Sequence, residues 1–258
     1  MLVSNKIIRS IFLIASATFI LFTMSLCRLQ DGTDIGTEES SPDSELFFFD
    51  YKDIIITTTS TIGTEIKNCN IYLDVYNDLI ILGELENSSS TIKTDIELTI
   101  DFIGQNSWPI YTAAVPIRTD YLAYGARYPF HYYFTKKDKY IEIESVKIGV
   151  NYREYKDAFK GNPIAEIEEY YYEKDYLMIK GKTVNLGKGK IKNLRLLCTF
   201  YDSKDRVVFI KECFLPRGRM VPGEVQDFTL KVLMDSYLKE FTHFHFEIFF
   251  EDEIKVNI

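Results

Sequence analysis

The sequence predicts an all-β protein built as two tandem β-sandwiches, and three observations carry that reading. Aromatic residues make up 15% of the 258-residue chain, with 18 Tyr and 19 Phe. That composition, with abundant β-branched residues and few long amphipathic runs, favours pleated sheet. Apolar residues also alternate with polar ones, the period-2 signature of half-buried strands. Finally, landmarks recur at a constant offset of 98 residues without gaps. Gly83 falls on Gly181, Asn87 on Asn185, Gly125 on Gly223 and Phe130 on Phe228, while Ile96, Leu98, Ile100 and Phe102 fall on Leu194, Leu196, Cys198 and Phe200. Such a repeat reads as a tandem duplication, with a boundary near Tyr155 to Asn162. A chain of this length accommodates two domains of about 100 residues, each large enough to bury its own core.

The first element is an export signal. Lys6 and Arg9 precede an apolar run from Ile11 to Leu26, the order of a basic n-region and an h-region. The run ends at Cys27, as in bacterial lipoproteins whose cysteine becomes the lipidated first residue, although Leu26 stands where that pattern has a small residue. Residues 1–26 therefore read as a signal peptide or as an uncleaved membrane anchor, and Cys27 as the candidate lipidation site. Either places the body outside the cytoplasm, in agreement with basic residues on the N-terminal flank. An acidic, flexible tether over 27–45 follows: Asp31, Asp34, Glu38, Glu39, Asp43 and Glu45 stand against Arg28 alone, too polar to bury a core. From Phe47 to Thr59 the chain turns β-prone and reads as an extra strand on the first domain.

The first sandwich spans 46–157 and the second 158–258, with six or seven strands each. Expected strands lie near 66–76, 79–86, 94–103, 110–117, 127–134 and 141–151, and again 98 positions on. Leu194, Leu196, Cys198 and Phe200 share one face, and Arg195, Leu197, Thr199 and Tyr201 the other. Asn185 to Gly189 is expected to close a hairpin with positive φ angles. Asp202 to Asp205 suits a turn, and Pro222-Gly223 fits the central positions of a type II turn.

At these residues a family resemblance is visible. Gly181 and Asn185, then Phe200-Tyr201-Asp202, then Pro222-Gly223-Glu224 and Phe228, resemble the FxLYD domain, a small immunoglobulin-like β-sandwich of exported bacterial and archaeal proteins. The resemblance covers roughly 165–250 and reaches 67–152 through the duplication, where Phe102-Ile103-Gly104 replaces the aromatic-Asp signature. It implies two tandem immunoglobulin-like β-sandwich domains after an N-terminal signal or anchor segment. It implies no catalytic residues.

Candidate chemistry is sparse. His243, His245 and Glu247 alternate with Phe244, Phe246 and Ile248, so on a strand they share a face. Two imidazoles and a carboxylate can bind zinc or copper; the polar, solvent-facing side of an outer strand has the same pattern. Cys198 and Cys213 lie on consecutive expected strands, where export allows a disulfide and burial as thiols is equally open. Tyrosines cluster at 121, 124, 128, 132 and 133 and at 170–172 and 176, for core packing, a protein interface or sugar stacking. Gly181 to Lys188 departs from a phosphate loop in glycine spacing and lacks Ser or Thr after the lysine. A net charge of −8 argues against general nucleic-acid binding.

The expected function is a non-enzymatic interaction or structural module at the cell envelope, held to the membrane through its N-terminus, engaging a protein partner and needing no cofactor. The alternative is a metal- or small-ligand-binding extracytoplasmic protein that uses the His-x-His strand. Cys27→Ser separates the two anchors. A lipid-held protein is expected to move from the membrane to the soluble fraction, and retention in the membrane identifies a signal anchor instead.

Overall fold

The computed structural model describes residues 54–59, 61–74, 78–155, 159–234 and 241–253. The expected signal or anchor segment, Cys27 and the acidic tether lie outside them. The described residues all fall within one compact unit, Ser44–Ile258. They form fourteen strands and one 3₁₀ turn, Lys137–Glu142.

The first half contains β1 (Ile55–Thr58), β2 (Thr64–Leu73), β3 (Leu79–Asn87), β4 (Ile92–Ile103), β5 (Pro109–Pro116), β6 (Arg127–Phe134) and β7 (Ser145–Tyr155). One sheet has the order β2-β3-β6 and the other β1-β7-β4-β5. The second half contains β8 (Pro163–Glu173), β9 (Tyr176–Asn185), β10 (Ile191–Tyr201), β11 (Val207–Cys213), β12 (Arg219–Met220), β13 (Val225–Leu233) and β14 (His243–Asp252). Here β13-β9-β8 form one sheet, while β11, β12 and β14 all pair with β10 in the other. β2, β3 and β6, with their counterparts β8, β9 and β13, stand as A, B and E of an immunoglobulin-type sandwich, and β5, β4 and β7, with their counterparts β11, β10 and β14, as C′, C and F. The chain is thus all-β, with the β-prone segment before Thr59 supplying β1 as an added edge strand parallel to β7.

Each half has its own core. Leu98, Ile100, Phe102, Val146, Ile148, Leu79, Ile81 and Phe134 close the first; Leu177, Ile179, Leu196, Cys198, Phe200, Phe228 and Leu230 close the second. Outside the β2–β3 and β8–β9 pairs, whose registers differ by one residue, the 98-residue repeat recurs in the strand pairing. Gly83 pairs with Phe130 and Gly181 with Phe228; Leu98 pairs with Val150 and Leu196 with Ile248. Even the irregularities recur: Asp95 and Asn193 bulge at φ 49° and 52°, Ser107 and Asp205 both sit at 59°, and Gly125 and Gly223 both at 75°. Glu224 N–H donates to Val221 O at 3.1 Å, which with a left-handed Gly223 completes a type II turn around Pro222-Gly223.

Two of the recurring residues explain themselves by contact. A side chain on Gly181 would fall 2.6 Å from the Phe228 ring and 2.2 Å from Glu166 O, and one on Gly83 would fall 2.7 Å from the Phe130 ring. The bare backbone therefore lets a phenylalanine of the neighbouring strand lie across it. Asn185 latches the exit of β9: its Oδ1 accepts from Gly187 N–H at 3.0 Å and Asn162 N–H at 3.2 Å, and its Nδ2 donates to Gly189 O at 2.9 Å. Asn87 does the same after β3, bonding Ser89 N–H, Thr91 O and Leu122 O.

Three expectations are corrected here. The Asn185–Gly189 segment is no hairpin, because β9 and β10 belong to different sheets. It crosses the top of the sandwich, and neither Gly187 nor Gly189 has a positive φ. Glycine is needed at 187 because a side chain there would meet Asn162 N and Lys160 O at 2.4 Å. The strand expected from 141 begins at Ser145 instead. Residues 137–142 coil into the 3₁₀ turn that lets Tyr140 insert and donate to Phe134 O at 2.6 Å while accepting from Leu79 N–H at 2.9 Å. Cys198 and Cys213 form no disulfide; both are buried free thiols. The register pairs Cys213 with Leu196 and Cys198 with Lys211. The two are therefore diagonal, a relation that leaves the residues about 7–8 Å apart, beyond the ~5.5–6 Å Cα separation usual for a bridge.

The halves dock through the strands that each buries on both faces. From β2 and β3, Tyr72, Ile80 and Leu82 turn away from the first core and meet Tyr201 and Val207, with Ile210 alongside. Asn70 Nδ2 donates to Val207 O at 3.1 Å and the Tyr72 hydroxyl to Val208 O at 2.9 Å. At the centre, the Tyr201 hydroxyl donates to Glu84 Oε1 at 2.7 Å. Glu84 is 1% exposed, and Asn68 Nδ2 is its second donor at 2.6 Å. A further contact joins Tyr128 to Phe249 (ring centroids 4.8 Å) and Arg127 N–H to Glu247.

Tyr201→Phe leaves the buried Glu84 carboxylate one donor short and is expected to lower unfolding stability by about 1–3 kcal/mol, measured by urea denaturation. A double-mutant cycle with Glu84→Ala is expected to show coupling above about 0.5 kcal/mol. Additivity would remove this bond from the account of docking.

Candidate functional site

An exposed apolar surface lies at the β4–β5 end of the first sandwich. Gly104 N–H donates to Trp108 O at 3.1 Å, and Ser107 N–H donates to Gly104 O at 3.0 Å, so residues 104–107 form a tight corner with Ser107 in the positive-φ region. This throws Trp108 outward, 76% exposed. The inserted Tyr140 fixes the 3₁₀ turn beside it and leaves the next residue, Ile141, 80% exposed. Trp108, Ile110, Ile141 and Glu142 rim an open depression of about 420 Å³ with Gly104 and Asn106 at its side.

The repeat shows that the fold does not require an apolar side chain at this corner. The same corner in the second sandwich is Asp202 to Arg206, with Arg206 where the first has Trp108. Asp202 N–H donates to Arg206 O at 3.0 Å and Asp205 N–H to Asp202 O at 3.1 Å. The Asp202 carboxylate accepts from the N–H groups of Lys204 and Arg206, both at 2.9 Å, and from Arg206 Nε at 2.8 Å. Burial works against that carboxylate, but the two backbone donors and the guanidinium outweigh it and hold its pKa below the ordinary value. One corner is thus polar and internally satisfied, while the other is apolar and open. Trp108 escapes a reading of motifs; comparing the two copies at position 108/206 would have found it.

The other sequence candidates fall in several places. His243 stacks on Tyr201 (centroids 4.7 Å, interplanar 9°), and its Nε2 lies 3.6 Å from Asp205. His245 Nε2 lies 3.3 Å from Glu247 Oε2, which also accepts from Arg127 N–H. The imidazoles are therefore directed to different partners, and among the described residues no group of three His, Cys, Asp or Glu side chains is arranged to hold a metal ion. Burial pushes the Cys69 thiol up to about 12 and Cys213 to about 11, and raises Cys198 as well; thiols held protonated in this way are poor nucleophiles. Tyr128 is buried, whereas Tyr124, Tyr133, Tyr170 and Tyr172 are exposed. Tyr121 packs on Tyr155 and Phe159 at the junction of the two halves. Asn87, which heads an Asn-Ser-Ser triplet, is fully buried.

Neither a protein-family model nor a curated protein matches the sequence. Among solved structures the chain is similar to red sea bream transglutaminase, with a TM-score of 0.24 and 7% identity over 73% of this chain and 30% of that one. A likeness at that level carries no functional argument.

The lowered Asp202 pKa fixes a pH dependence. The ionised form is favoured in the folded state, so its stabilisation is present above the unfolded carboxylate value of about 3.9 and is lost as pH falls through the lower folded value. Asp202→Asn is expected to be less stable than wild type at pH 7, with the gap closing below about pH 4 in urea denaturation. A gap that does not change with pH would assign the turn's strength to the backbone bonds alone.

Proposed function

We propose that this protein is a non-enzymatic interaction module of the cell envelope. Two sandwiches joined by a buried interface present the Trp108–Ile141 surface to a protein partner. The observation that carries the reading is the pair of residues at that tip, Trp108 and Ile141, which remain 76% and 80% exposed, Trp108 on a corner whose duplicate is polar. A large aromatic beside aliphatic residues is the composition of an interface anchor, and sandwich ends displayed on a rigid scaffold are common binding places. The export signal, the acidic tether and the FxLYD resemblance support an extracytoplasmic setting and attachment to the membrane through Cys27 or an uncleaved anchor.

A photo-crosslinking amino acid at position 108, in the full chain expressed in its native envelope, tests this directly. The expected result is a discrete adduct from position 108 that is absent from position 206, the equivalent place in the second sandwich. No adduct, or equal adducts from both positions, would overturn the reading.

A further inference from the structure

The duplication supplies an occupied and an open version of one sheet edge. In the first sandwich the outer edge of β7 is covered by β1, which runs parallel to it with Ile55, Ile56, Thr57 and Thr58 opposite Ser145, Val146, Lys147 and Ile148. Thr59 N–H donates to Ile148 O at 2.8 Å, and the Thr57 hydroxyl to Val146 O at 3.3 Å. Val146 and Ile148 therefore direct their backbone groups to this edge. Carried 98 positions along, the socket is His243–Phe246 of β14. Among the described residues β14 pairs with β10 alone.

No equivalent plug is found among the described residues. The stretch 98 residues after β1 starts at Arg153, and 153–155 already belong to β7. They are paired with β4 through Arg153–Thr94, Glu154–Lys93 and Tyr155–Ile92 and held by the fully buried Lys93, whose Nζ lies 2.9 Å from Glu154 Oε1. Two other edges carry protection that this one lacks. β8 displays Glu166, Glu168, Glu169 and Glu173 and contains a bulge, and β5 is bounded by Pro109 and Pro116; charge, bulges and proline all deter strand addition. His243–Phe246 has no proline and no lysine, and its pairing with β10 is regular.

We propose that the open edge of β14 at His243–Phe246 is a strand-addition site for an extended, β-branched segment of a partner protein, entering parallel to β14. This deepens the interaction reading above and rests on it. Main-chain bonds to Phe244 and Phe246 supply the attachment, and alternate side chains supply the selectivity. Ile56 of β1 packs on the first core; its counterpart in the incoming segment is an apolar residue laid against Phe244 and Phe246, which are half-buried on the second core. Residues of the other parity lie beside the exposed His243 and His245 and are polar, as Thr57 is in β1.

The probe is a synthetic peptide with the sequence of residues 53–60, Asp-Ile-Ile-Ile-Thr-Thr-Thr-Ser, added to the full chain. Saturable binding is expected, with amide hydrogen exchange at Phe244 and Phe246 slowed. N-methylation of the peptide at the positions of Thr57 and Thr59 removes the ladder donors without altering the protein and is expected to weaken binding by about tenfold or more. Absence of saturable binding, equal binding of the methylated peptide, or protection confined to other amides would each overturn the proposal. A position-108 adduct that persists when the peptide result is negative removes this edge and leaves the interaction reading standing. Peptide binding without that adduct does the reverse.

Discussion

The bond from the Tyr201 hydroxyl to Glu84 is the point on which the two halves turn. Each sandwich closes its own core without it, yet β3 and β10 are apolar on both faces, and a strand of that kind needs cover on both. Tyr72, Ile80 and Leu82 would lie in water if the halves separated. A carboxylate placed among them is tolerable only because two donors reach it, and one of those comes from the other half. Docking and burial of Glu84 are therefore conditional on each other. No buried side-chain nitrogen or oxygen among the described residues lacks a partner.

Three consecutive residues show how a fold signature is divided between tasks. Phe200 enters the second core, Tyr201 turns outward to meet Glu84, and Asp202 leaves the strand to tie the next turn. In the first half Phe102 keeps the first of these roles and the corner keeps only its backbone bonds; Ile103 does not take the place of Tyr201, and Gly104 has no carboxylate to tie the turn. The duplication therefore preserved what each unit needs internally and let the outward positions diverge. Those positions hold Trp108 on one copy and Tyr201 on the other.

Much of this was legible in the sequence. Strand positions, the repeat, the type II turn at Pro222-Gly223 and the added strand before the first sandwich all follow from local rules, because alternation, glycine and proline act over a few residues. The illegible part is non-local. Arg195, Leu197, Thr199 and Tyr201 read as the outer face of a half-buried strand, and nothing in their spacing says that another sheet covers them. Asn185 to Gly189 has hairpin composition, but whether two strands share a sheet is decided by partners far along the chain. Consecutive strands likewise suggest that Cys198 faces Cys213; a two-residue displacement in register decides otherwise.

The edges follow from the same logic. A sandwich of the A-B-E and C′-C-F kind has lost the strand that would flank F, so each copy begins with one exposed ladder. The first copy solves this with the chain that enters it, since β1 precedes the sandwich and can fold back along β7. Among the described residues the second copy has no such cover, and the chain that enters it is the end of β7 itself, engaged with β4 and pinned by Lys93. The histidines at that edge then need no metal to account for them: alternating with Phe244 and Phe246, they form the polar side of a strand whose backbone on one flank is unpaired among the described residues.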